Sequence, residues 1–280
     1  MPELPEAETI ARQLRDEVLG KTIVRVRAFE ARCVRTHGST REFEQACRGS
    51  LITEIRRRGK QIVLTLDASR SLVVRLGMSG RLLVGNPRDA RPQHAHIVFS
   101  LSSGLELRYI DPRTFGHLSV RSGTELSRLP GFEKLGPEPL SDDLDERELR
   151  RRLSRTRSIL AVALMNQRIV AGIGKIYSDE ICFHARLNPL MPAHSVSLLQ
   201  ARRLLAAMRR VLESAIEHRG TTAADGSYVD LYGRPGGYQK FLAAYQRAGE
   251  PCLRCSTSIA RVALSNGRGI HFCPKCQRFP

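Results

Sequence analysis

The chain has 280 residues, with 45 lysines and arginines against 28 acidic residues, which gives a formal net charge of +17. A hydrophobic content of 41% excludes a disordered chain, and the length allows one large domain or two smaller ones. The positive excess favours nucleic acid as the partner; a membrane surface is the alternative, but no basic amphipathic helix adjoins an apolar anchor. No apolar run could span a bilayer, and the acidic start is unlike a secretory signal. We therefore expect a cytoplasmic protein.

The first part of the chain predicts one helix followed by strands. Within residues 6–19, Ile10, Leu14 and Val18 share one helical face, and Gly20 can end the helix. The segments that follow are β-branched or alternate between apolar and polar residues: 22–28, 50–57, 61–67, 71–76, 81–85, 95–101 and 105–110. Seven or eight antiparallel strands close most simply as a sandwich of two sheets.

The character of the sequence changes near residue 134. Residues 135–150 are rich in proline, glycine and acid, which is typical of a linker. A helical pattern then extends to residue 218. Residues 221–237 form a glycine-rich loop whose length is uncommon unless the loop is functional or mobile.

Four cysteines near the C-terminus have the spacing of a metal site. Cys252 and Cys255 form one CxxC pair, and Cys273 and Cys276 form a second pair after seventeen residues. This spacing is typical of a four-cysteine zinc ribbon, with two disulfides or four buried thiols as the alternatives. A cytoplasmic chain disfavours disulfides, so we predict one structural Zn²⁺ ion. The other cysteines are expected to be small buried residues: Cys33, Cys47 and Cys182.

The residues between the two cysteine pairs predict a strand, a turn and a strand, with Arg268 at or near the tip. A turn arginine is most often simply solvated, but it can also present a guanidinium to phosphate.

A second glycine-containing turn has Gly172 and Gly174 on either side of one isoleucine. We expect a helix to begin near Lys175 or Ile176, where its free N–H groups could bind an anion. A plain turn between two helices is the alternative.

The N-terminus carries a candidate nucleophile. If Met1 is removed, Pro2 has a free secondary amine, whose pKa of about 8 leaves a useful neutral fraction near pH 7. Glu3 could donate a proton to a sugar ring oxygen or move one from the amine, and Glu6 lies three residues further on. Proline and glutamate are also good residues for starting a helix, and from the residues alone that interpretation is favoured.

Several ordered motifs together resemble one family over nearly the whole chain. They are MPELPEAET at 1–9, RRRGK at 56–60, LGMSG at 76–80, DPRTFG at 111–116, KLGPEPL at 134–140, AGIGKIYSDE at 171–180, and GEPCLRC with GRGIHFCPKCQ at the end. The chain resembles the formamidopyrimidine-DNA glycosylases, with the endonuclease VIII enzymes as a related group. The PELPE start favours the formamidopyrimidine branch.

The resemblance implies catalytic roles for four positions. Pro2 matches the Schiff-base nucleophile, and Glu3 matches the catalytic acid. Lys60 matches a lysine associated with the elimination chemistry and with a phosphate contact. Arg268 matches the zinc-hairpin arginine that holds phosphate and is linked to δ-elimination.

The resemblance also implies residues that fill the duplex once the damaged base has left. Met78 and Phe115 would replace the lost stacking, and Arg113 would bond the orphaned cytosine. Extruding a base costs a few kcal/mol, so such fillers are physically needed. The alternatives are core packing for Met78 and Phe115 and a strand-end salt bridge for Arg113.

Other positions match DNA contacts of the family. His94 and Arg157 are such positions, as is Arg113, and the loop that starts at Thr221 and Thr222 resembles the segment that closes over the flipped purine. Lys175 stands where the family usually has asparagine, and its charge can also bind phosphate.

Three further positions depart from the family's pattern. The lysine usual just after Arg157 is missing, Arg75 replaces a histidine, and Gln246 replaces a glycine.

We therefore predict an α+β protein with a leading helix and β-sandwich over residues 1–134, a linker over 135–150, a helix–two-turn–helix DNA-binding domain over 151–244 and a zinc finger over 245–280. The predicted activity is removal of oxidised purines from double-stranded DNA, followed by β,δ-elimination. The enzyme is expected to be a bacterial monomer that binds DNA between the sandwich and the helical domain. The alternatives are an endonuclease VIII-like enzyme that prefers oxidised pyrimidines and a lesion-binding protein without turnover.

Overall fold

The computed structural model describes residues 2–67, 69–123, 131–224, 226–264 and 267–279. The chain divides into two compact units. Unit 1 comprises Met1–Glu133 and Ile216–Gln239, and unit 2 comprises Lys134–Ala215 and Lys240–Pro280. No helix within the described ranges has the length and apolar character needed to cross a membrane.

The regular elements are as follows. The helices are α1 (Leu4–Val18), α2 (Thr40–Cys47), α3 (Glu146–Leu153), α4 (Leu160–Met165), α5 (Lys175–Ala185) and α6 (Leu198–Glu217). The strands are β1 (Ile23–Ala28), β2 (Ile52–Arg58), β3 (Gln61–Leu66), β4 (Arg70–Arg75), β5 (Arg81–Gly85), β6 (Ala95–Leu101), β7 (Glu106–Ile110), β8 (His117–Ser122), β9 (Ala260–Ala263) and β10 (Gly269–Phe272). Short 3₁₀ turns lie at Ala31–Val34, Ala193–Ser195 and Tyr238–Phe241.

Unit 1 contains two antiparallel sheets. As far as the described residues show, each sheet has four strands, in the orders β1-β6-β7-β5 and β2-β3-β4-β8. Phe99 from one sheet and Ile62 from the other belong to one buried core, to which Leu14 of α1 also contributes. The predicted helix followed by seven or eight strands in two sheets is therefore confirmed, and the sheets close around that shared core. Strand β8 lies outside the seven predicted segments.

Helix α1 starts two residues earlier than its apolar pattern predicts. Leu4 is its first residue and Glu3 caps it, because Pro5 suits the first turn and the Glu6 carboxylate accepts the backbone N–H of Glu3. The predicted apolar face is buried. This cap places the N-terminal end of the chain against the sandwich.

Helix α2 was not predicted, since it lies between the expected strands 22–28 and 50–57. It begins after Ser39, whose Oγ accepts the N–H of Glu42 at 3.1 Å. Phe43 and Cys47 face the core. Serine followed three residues later by glutamate is a helix-start signal that the sequence does contain.

Unit 2 holds the helices and the C-terminal hairpin. Helix α5 begins at Lys175 after Gly174, as predicted, and β9 pairs with β10 in an antiparallel hairpin. Residues 216–239 pack with unit 1, whereas the sequence assigned all of 151–244 to one helical domain. The expected linker 135–150 includes the start of α3 at Glu146.

Candidate functional site

The first residues of α1 are enclosed. Pro2 is buried, and Glu3 and Glu6 are 2% and 1% exposed. The Glu3 backbone N–H donates to Glu6 Oε2 at 2.7 Å. The two carboxylates are thus held beside the residue that would carry the terminal amine.

The second oxygen of Glu6 binds a distant segment of unit 1. The backbone N–H of Thr221 donates to Glu6 Oε1 at 2.8 Å. Gly220 precedes it with φ of +76°, and a Cβ there would lie 2.7 Å from the same oxygen. Only glycine lets the backbone approach the carboxylate this closely. Glu6 therefore joins the start of α1 to the start of the 221–237 loop.

The described part of the 221–237 loop is tied by its own hydrogen bonds. Thr222 Oγ1 donates to the carbonyl of Tyr228 and accepts the N–H of Gly236, both at 2.8 Å. The loop also bonds α1, because Gln13 Nε2 donates to Asp230 Oδ2 at 3.0 Å. Burial alone raises the pKa of Asp230, but the donors around it, Gln13 first, lower it overall. These contacts give the loop a defined conformation on unit 1.

Lys60 lies in the turn between β2 and β3. The buried side chain of Arg57 links this turn to α1: its Nη1 donates to the carbonyl of Gly59 at 2.9 Å, and its Nε donates to Glu8 Oε2 at 3.0 Å. Arg57 was not singled out in the sequence, although it belongs to the RRRGK motif. It couples the helix that follows Pro2 to the turn that carries Lys60.

Met78 and Phe115 are 42% and 51% exposed, which rules out core packing for both. The Arg113 guanidinium lies 4.6 Å from the centre of the Phe115 ring, a cation–π contact. Within the described residues Arg113 forms no ion pair, so the strand-end salt bridge is not observed. Apolar side chains held in water at loop tips are costly unless they have a partner to contact.

Asp111 connects the loops that carry these side chains. It is fully buried, and its Oδ1 accepts the hydroxyl of Ser79 at 2.5 Å. Its Oδ2 accepts the N–H of Gly116 at 2.8 Å and the hydroxyl of Tyr109 at 3.0 Å. A Cβ at Gly77 would lie 2.6 Å from the Gly116 nitrogen, so the two loops touch. The sequence did not single out Asp111, although it begins the DPRTFG motif.

A neutral histidine supports the Phe115 loop. One Arg35 amino group donates to His117 Nδ1 at 2.9 Å and to the carbonyl of Phe115 at 3.3 Å. Burial, followed by the charges of Arg35 and other arginines, lowers the pKa of His117 to about 4. His117 is therefore neutral at pH 7 and can accept this bond.

His94 and Arg157, which are expected to contact DNA, are both exposed. His94 lies just before β6 with φ of +62°, and its carbonyl accepts the N–H of Asp111 at 3.1 Å. Arg157 lies in unit 2, between α3 and α4. Both side chains are open to a ligand.

In unit 2, Lys175 is engaged within the protein. Its ammonium pairs with the buried carboxylate of Asp179, one turn along α5. Asp179 Oδ2 also accepts the backbone N–H of His271 at 3.1 Å and bonds the His271 ring at 2.9 Å. The helix after the glycine turn is thus bonded to strand β10 of the hairpin. Neither Asp179 nor this pairing was foreseen from the sequence.

The next residue of α5 holds a third segment of unit 2. Glu180 is fully buried, and its carboxylate accepts the backbone N–H groups of Ala243, Ala244 and Tyr245 at 2.8–2.9 Å. Burial raises the pKa of Glu180, although these three donors oppose the shift.

The four C-terminal cysteines form one cluster, with all four Sγ atoms within 4.8 Å of one another. The Sγ atoms of Cys252 and Cys276 are 4.0 Å apart, and those of Cys255 and Cys273 are 3.4 Å apart. Four thiolates about 2.3 Å from a tetrahedral Zn²⁺ would be separated by roughly 3.8 Å. The N–H of Cys276 points at Cys273 Sγ, at 3.4 Å, as in a tight metal knuckle. The donor set fits a single structural zinc, as predicted, with no position open for water.

Arg268 is exposed just before β10, and its carbonyl accepts the N–H of Leu264 at 2.8 Å across the hairpin. Residues 265 and 266, at the expected tip, lie outside the described residues. The three scattered cysteines are buried as expected: Cys33, Cys47 and Cys182.

The candidate residues divide between the two units. Unit 1 carries Pro2, Glu3, Lys60, Met78, His94, Arg113 and Phe115, and unit 2 carries Arg157, Lys175, Arg268 and the four cysteines.

Comparison with known families matches nearly the whole chain in three parts. Residues 1–118 match the formamidopyrimidine-DNA glycosylase N-terminal domain, and residues 135–226 match its H2TH domain. Residues 249–278 match the zinc finger found in FPG and IleRS.

Two relatives align along most of their length. A formamidopyrimidine-DNA glycosylase of Herpetosiphon aurantiacus is 40% identical over 99% of this chain and 100% of its own length. One of Symbiobacterium thermophilum is 43% identical over 100% of this chain and 90% of its own length.

Solved structures agree with these relatives. The MutM (Fpg) protein of Thermus thermophilus has a TM-score of 0.87 and 38% identity, covering 99% of this chain and 98% of its own. A Lactococcus lactis FPG variant in complex with DNA containing Fapy-dG has a TM-score of 0.90 and 30% identity, covering 99% of this chain and 100% of its own. The chain belongs to the formamidopyrimidine-DNA glycosylase family. It is a DNA-binding repair enzyme of the glycosylase and AP lyase class, with a four-cysteine zinc finger.

Proposed function

We propose that this enzyme removes oxidised purines, such as 8-oxoguanine and formamidopyrimidines, from double-stranded DNA and then cleaves the strand. The observation that carries the proposal is the enclosed start of α1, where Pro2 and Glu3 lie together and Glu6 holds the backbone of Glu3. Such a DNA substrate would place the enzyme at the bacterial nucleoid, in the cytoplasm. We expect it to act as a monomer.

In the proposed chemistry the amine of Pro2, exposed by removal of Met1, attacks C1′ of the damaged nucleotide. The N-glycosidic bond breaks and its electron pair leaves with the base, which takes up the proton that the amine nitrogen loses. Glu3 donates a proton to the ring oxygen as the sugar opens. Because proline is a secondary amine, the product is an iminium that cannot lose its charge at nitrogen. It remains an electron sink for the next steps.

Strand cleavage follows by elimination. Loss of a proton at C2′ expels the 3′ phosphate, and loss of a second proton at C4′ expels the 5′ phosphate. Water then hydrolyses the iminium and releases the sugar remnant from Pro2, which leaves a one-nucleotide gap with phosphate ends. Lys60 would assist this proton movement and bind phosphate, and Arg268 would hold the strand. The link from Arg57 to Gly59 supports the role of Lys60, because it fixes the turn relative to α1.

The flipped base leaves a gap that the exposed side chains of unit 1 would fill. Met78 and Phe115 offer apolar surface, and Arg113 offers donors to the unpaired base opposite. This role is supported by the exposure of Met78 and Phe115 at the tips of two loops that touch. The loop from Thr221 would close over the flipped purine, supported by its bond to Glu6.

Further contacts to DNA would come from His94 in unit 1, and from Arg157 and the N-terminus of α5 in unit 2. The zinc would be held by the four cysteines in a purely structural role, keeping the hairpin that presents Arg268 folded. About one zinc per chain is expected in freshly purified protein.

Borohydride trapping on an 8-oxoguanine:cytosine duplex tests the proposal. The wild type should form a covalent adduct and cleave the strand, and Pro2→Gly, which still permits methionine removal, should form far less adduct. Binding without adduct or cleavage would contradict the enzymatic mechanism and favour a lesion-binding protein. A thymine glycol duplex in parallel tests lesion class, because faster release there would favour an endonuclease VIII-like preference.

A further inference from the structure

A basic cleft of about 480 Å³ opens on unit 1 between β1 and α2. Its lining includes Arg25 and Arg27 of β1 and Arg41 on α2, with Arg48 directly after that helix. Arg25 and Arg27 are two residues apart and so share one face of the strand, and Arg41 and Arg48 are two helical turns apart. Four arginines, from β1 and from α2 and its C-terminal end, thus line one space.

These four charges are not neutralised within the protein. All four residues are exposed, and across the described ranges none of the four side chains pairs with a carboxylate. Among the described lining residues the only acid is Glu44, and its Oε1 already accepts the backbone N–H of Ala28 at 2.7 Å. Like charges gathered in a concave surface repel one another and raise the local concentration of anions. The cleft is therefore built to suit an anionic ligand.

An aromatic ring lies at one end of the cleft. Phe29 lines it and is 48% exposed, and the Arg91 guanidinium lies 4.0 Å from the centre of its ring. A fifth positive charge is therefore held against the ring that lines the cleft. An exposed ring next to several guanidinium groups is a combination typical of nucleic-acid contacts.

The same end of the cleft adjoins a proposed DNA contact. The backbone N–H of Phe29 donates to the carbonyl of His96 at 2.7 Å. The rings of His96 and His94 are 6.0 Å apart. The Phe29 end of the cleft thus lies beside the start of β6, directly after His94, which is expected to meet DNA. A nucleic-acid backbone explains this placement better than an isolated small anion does.

We propose that the cleft binds backbone phosphates of the DNA that continues beyond His94. This inference rests on the proposed function, because it extends the DNA path assigned there. Arginine suits the role, since its planar fork bonds two phosphate oxygens at once and stays charged at any physiological pH. The cleft would add affinity and register without touching the reacting nucleotide.

The salt dependence of DNA binding tests this assignment. Two variants remove charge from the cleft, Arg25→Gln with Arg27→Gln, and Arg41→Gln with Arg48→Gln. A matched control, Arg147→Gln with Arg203→Gln, removes the same charge from exposed positions outside it. Binding is measured by fluorescence anisotropy on a duplex of about 30 base pairs, roughly three helical turns, carrying a tetrahydrofuran abasic site.

Each cleft variant should reduce the magnitude of the negative slope of log K against log salt concentration by about 1.8, the value for two lost phosphate contacts. The control should reduce it by less than about 0.5. Equal slopes for cleft variants and control would overturn the proposal. The proposal would also be overturned if the cleft variants kept the salt slope of DNA binding but lost binding of inorganic tripolyphosphate. That result would assign the cleft to a small polyanion. Single-turnover base release at saturating enzyme should be the same in all variants. A wild type without base release would count against the proposed function but leave the slope comparison valid.

Discussion

Glu6 and Thr221 are 215 residues apart in the chain, and the backbone N–H of Thr221 donates to Glu6 Oε1 at 2.8 Å. The other oxygen of Glu6 accepts the N–H of Glu3. One buried carboxylate therefore fixes both the residue next to the proposed nucleophile and the loop proposed to cover the base. A change at Glu6 should affect both.

Glu6→Gln should lower the rate of borohydride trapping by about tenfold or more. The substitution turns one acceptor into a donor that faces a backbone N–H, and losing a buried hydrogen bond to a charged group costs about 1.5–3 kcal/mol. Single-turnover trapping at saturating enzyme measures the effect on chemistry. Asp16→Asn, an exposed change of the same type on the same helix, is the control. Equal rates for both variants would show that Glu6 does not position the site.

Asp111→Asn should destabilise unit 1 by about 2–3 kcal/mol, since the amide replaces one acceptor of a buried, fully bonded carboxylate. It should also release the loops that carry Met78 and Phe115. We therefore expect weaker DNA binding and reduced discrimination between cytosine and adenine opposite the lesion. Urea unfolding and competitive binding measure the two effects, and Asp142→Asn is the exposed control.

A double-mutant cycle separates positioning from simple loss of stability. If Asp111 acts through Phe115, then Asp111→Asn should weaken DNA binding much less in a Phe115→Ala background than in the wild type. Additive losses would mean that Asp111 stabilises the fold without positioning the loop.

The free energy of unfolding should fall as the pH drops from about 6.5 toward 4. The pKa of His117 is lowered to about 4, by burial first and then by Arg35, Arg75 and Arg121, so the unfolded chain binds a proton in this range that the folded chain does not. The stability that depends on neutral His117 is complete above about pH 6.5 and is lost through this window. His117→Gln should flatten part of the slope of the urea midpoint against pH.

His184 should also destabilise the protein as the pH falls, because its pKa is lowered to about 4 by burial and then by Arg254 and Arg210. Replacing both His117 and His184 should flatten the profile further. Replacing the exposed His194 is the control, and a control profile as flat as that of the double variant would contradict this assignment.

Lys175→Met should destabilise the protein by about 3 kcal/mol, because it leaves the buried carboxylate of Asp179 without its ammonium partner. Adding Asp179→Asn should restore part of the loss. The salt slope of DNA binding should change by less than about 0.5, since the Lys175 charge is engaged within unit 2. A slope lowered by about 0.9 would instead show that Lys175 binds a phosphate directly.

Local patterns were sufficient to predict much of this fold. The apolar face of α1, the strand pattern of the sandwich, the start of α5 at Lys175 and the cysteine cluster all follow from short-range periodicity or spacing. Helix α2 was missed because eight residues carry little periodic signal, although Ser39 and Glu42 mark its start.

Long-range contacts could not be predicted in this way. The bonds from Glu6 to Thr221 and from Asp179 to His271 join segments far apart in sequence, and neither residue pair has a characteristic spacing. Buried carboxylates such as Asp111 also look like ordinary surface residues until their donors are seen. The chemistry-bearing residues were therefore visible in the sequence, but the groups that hold them were not.

The position of the covalent adduct identifies the nucleophile directly. After borohydride trapping on an 8-oxoguanine duplex, tryptic digestion and mass spectrometry should find the reduced sugar on the N-terminal peptide PELPEAETIAR, which ends at Arg12, with the added mass on Pro2. An adduct on a peptide containing Lys60, or a retained Met1 on trapped protein, would show that the amine of Pro2 is not the nucleophile.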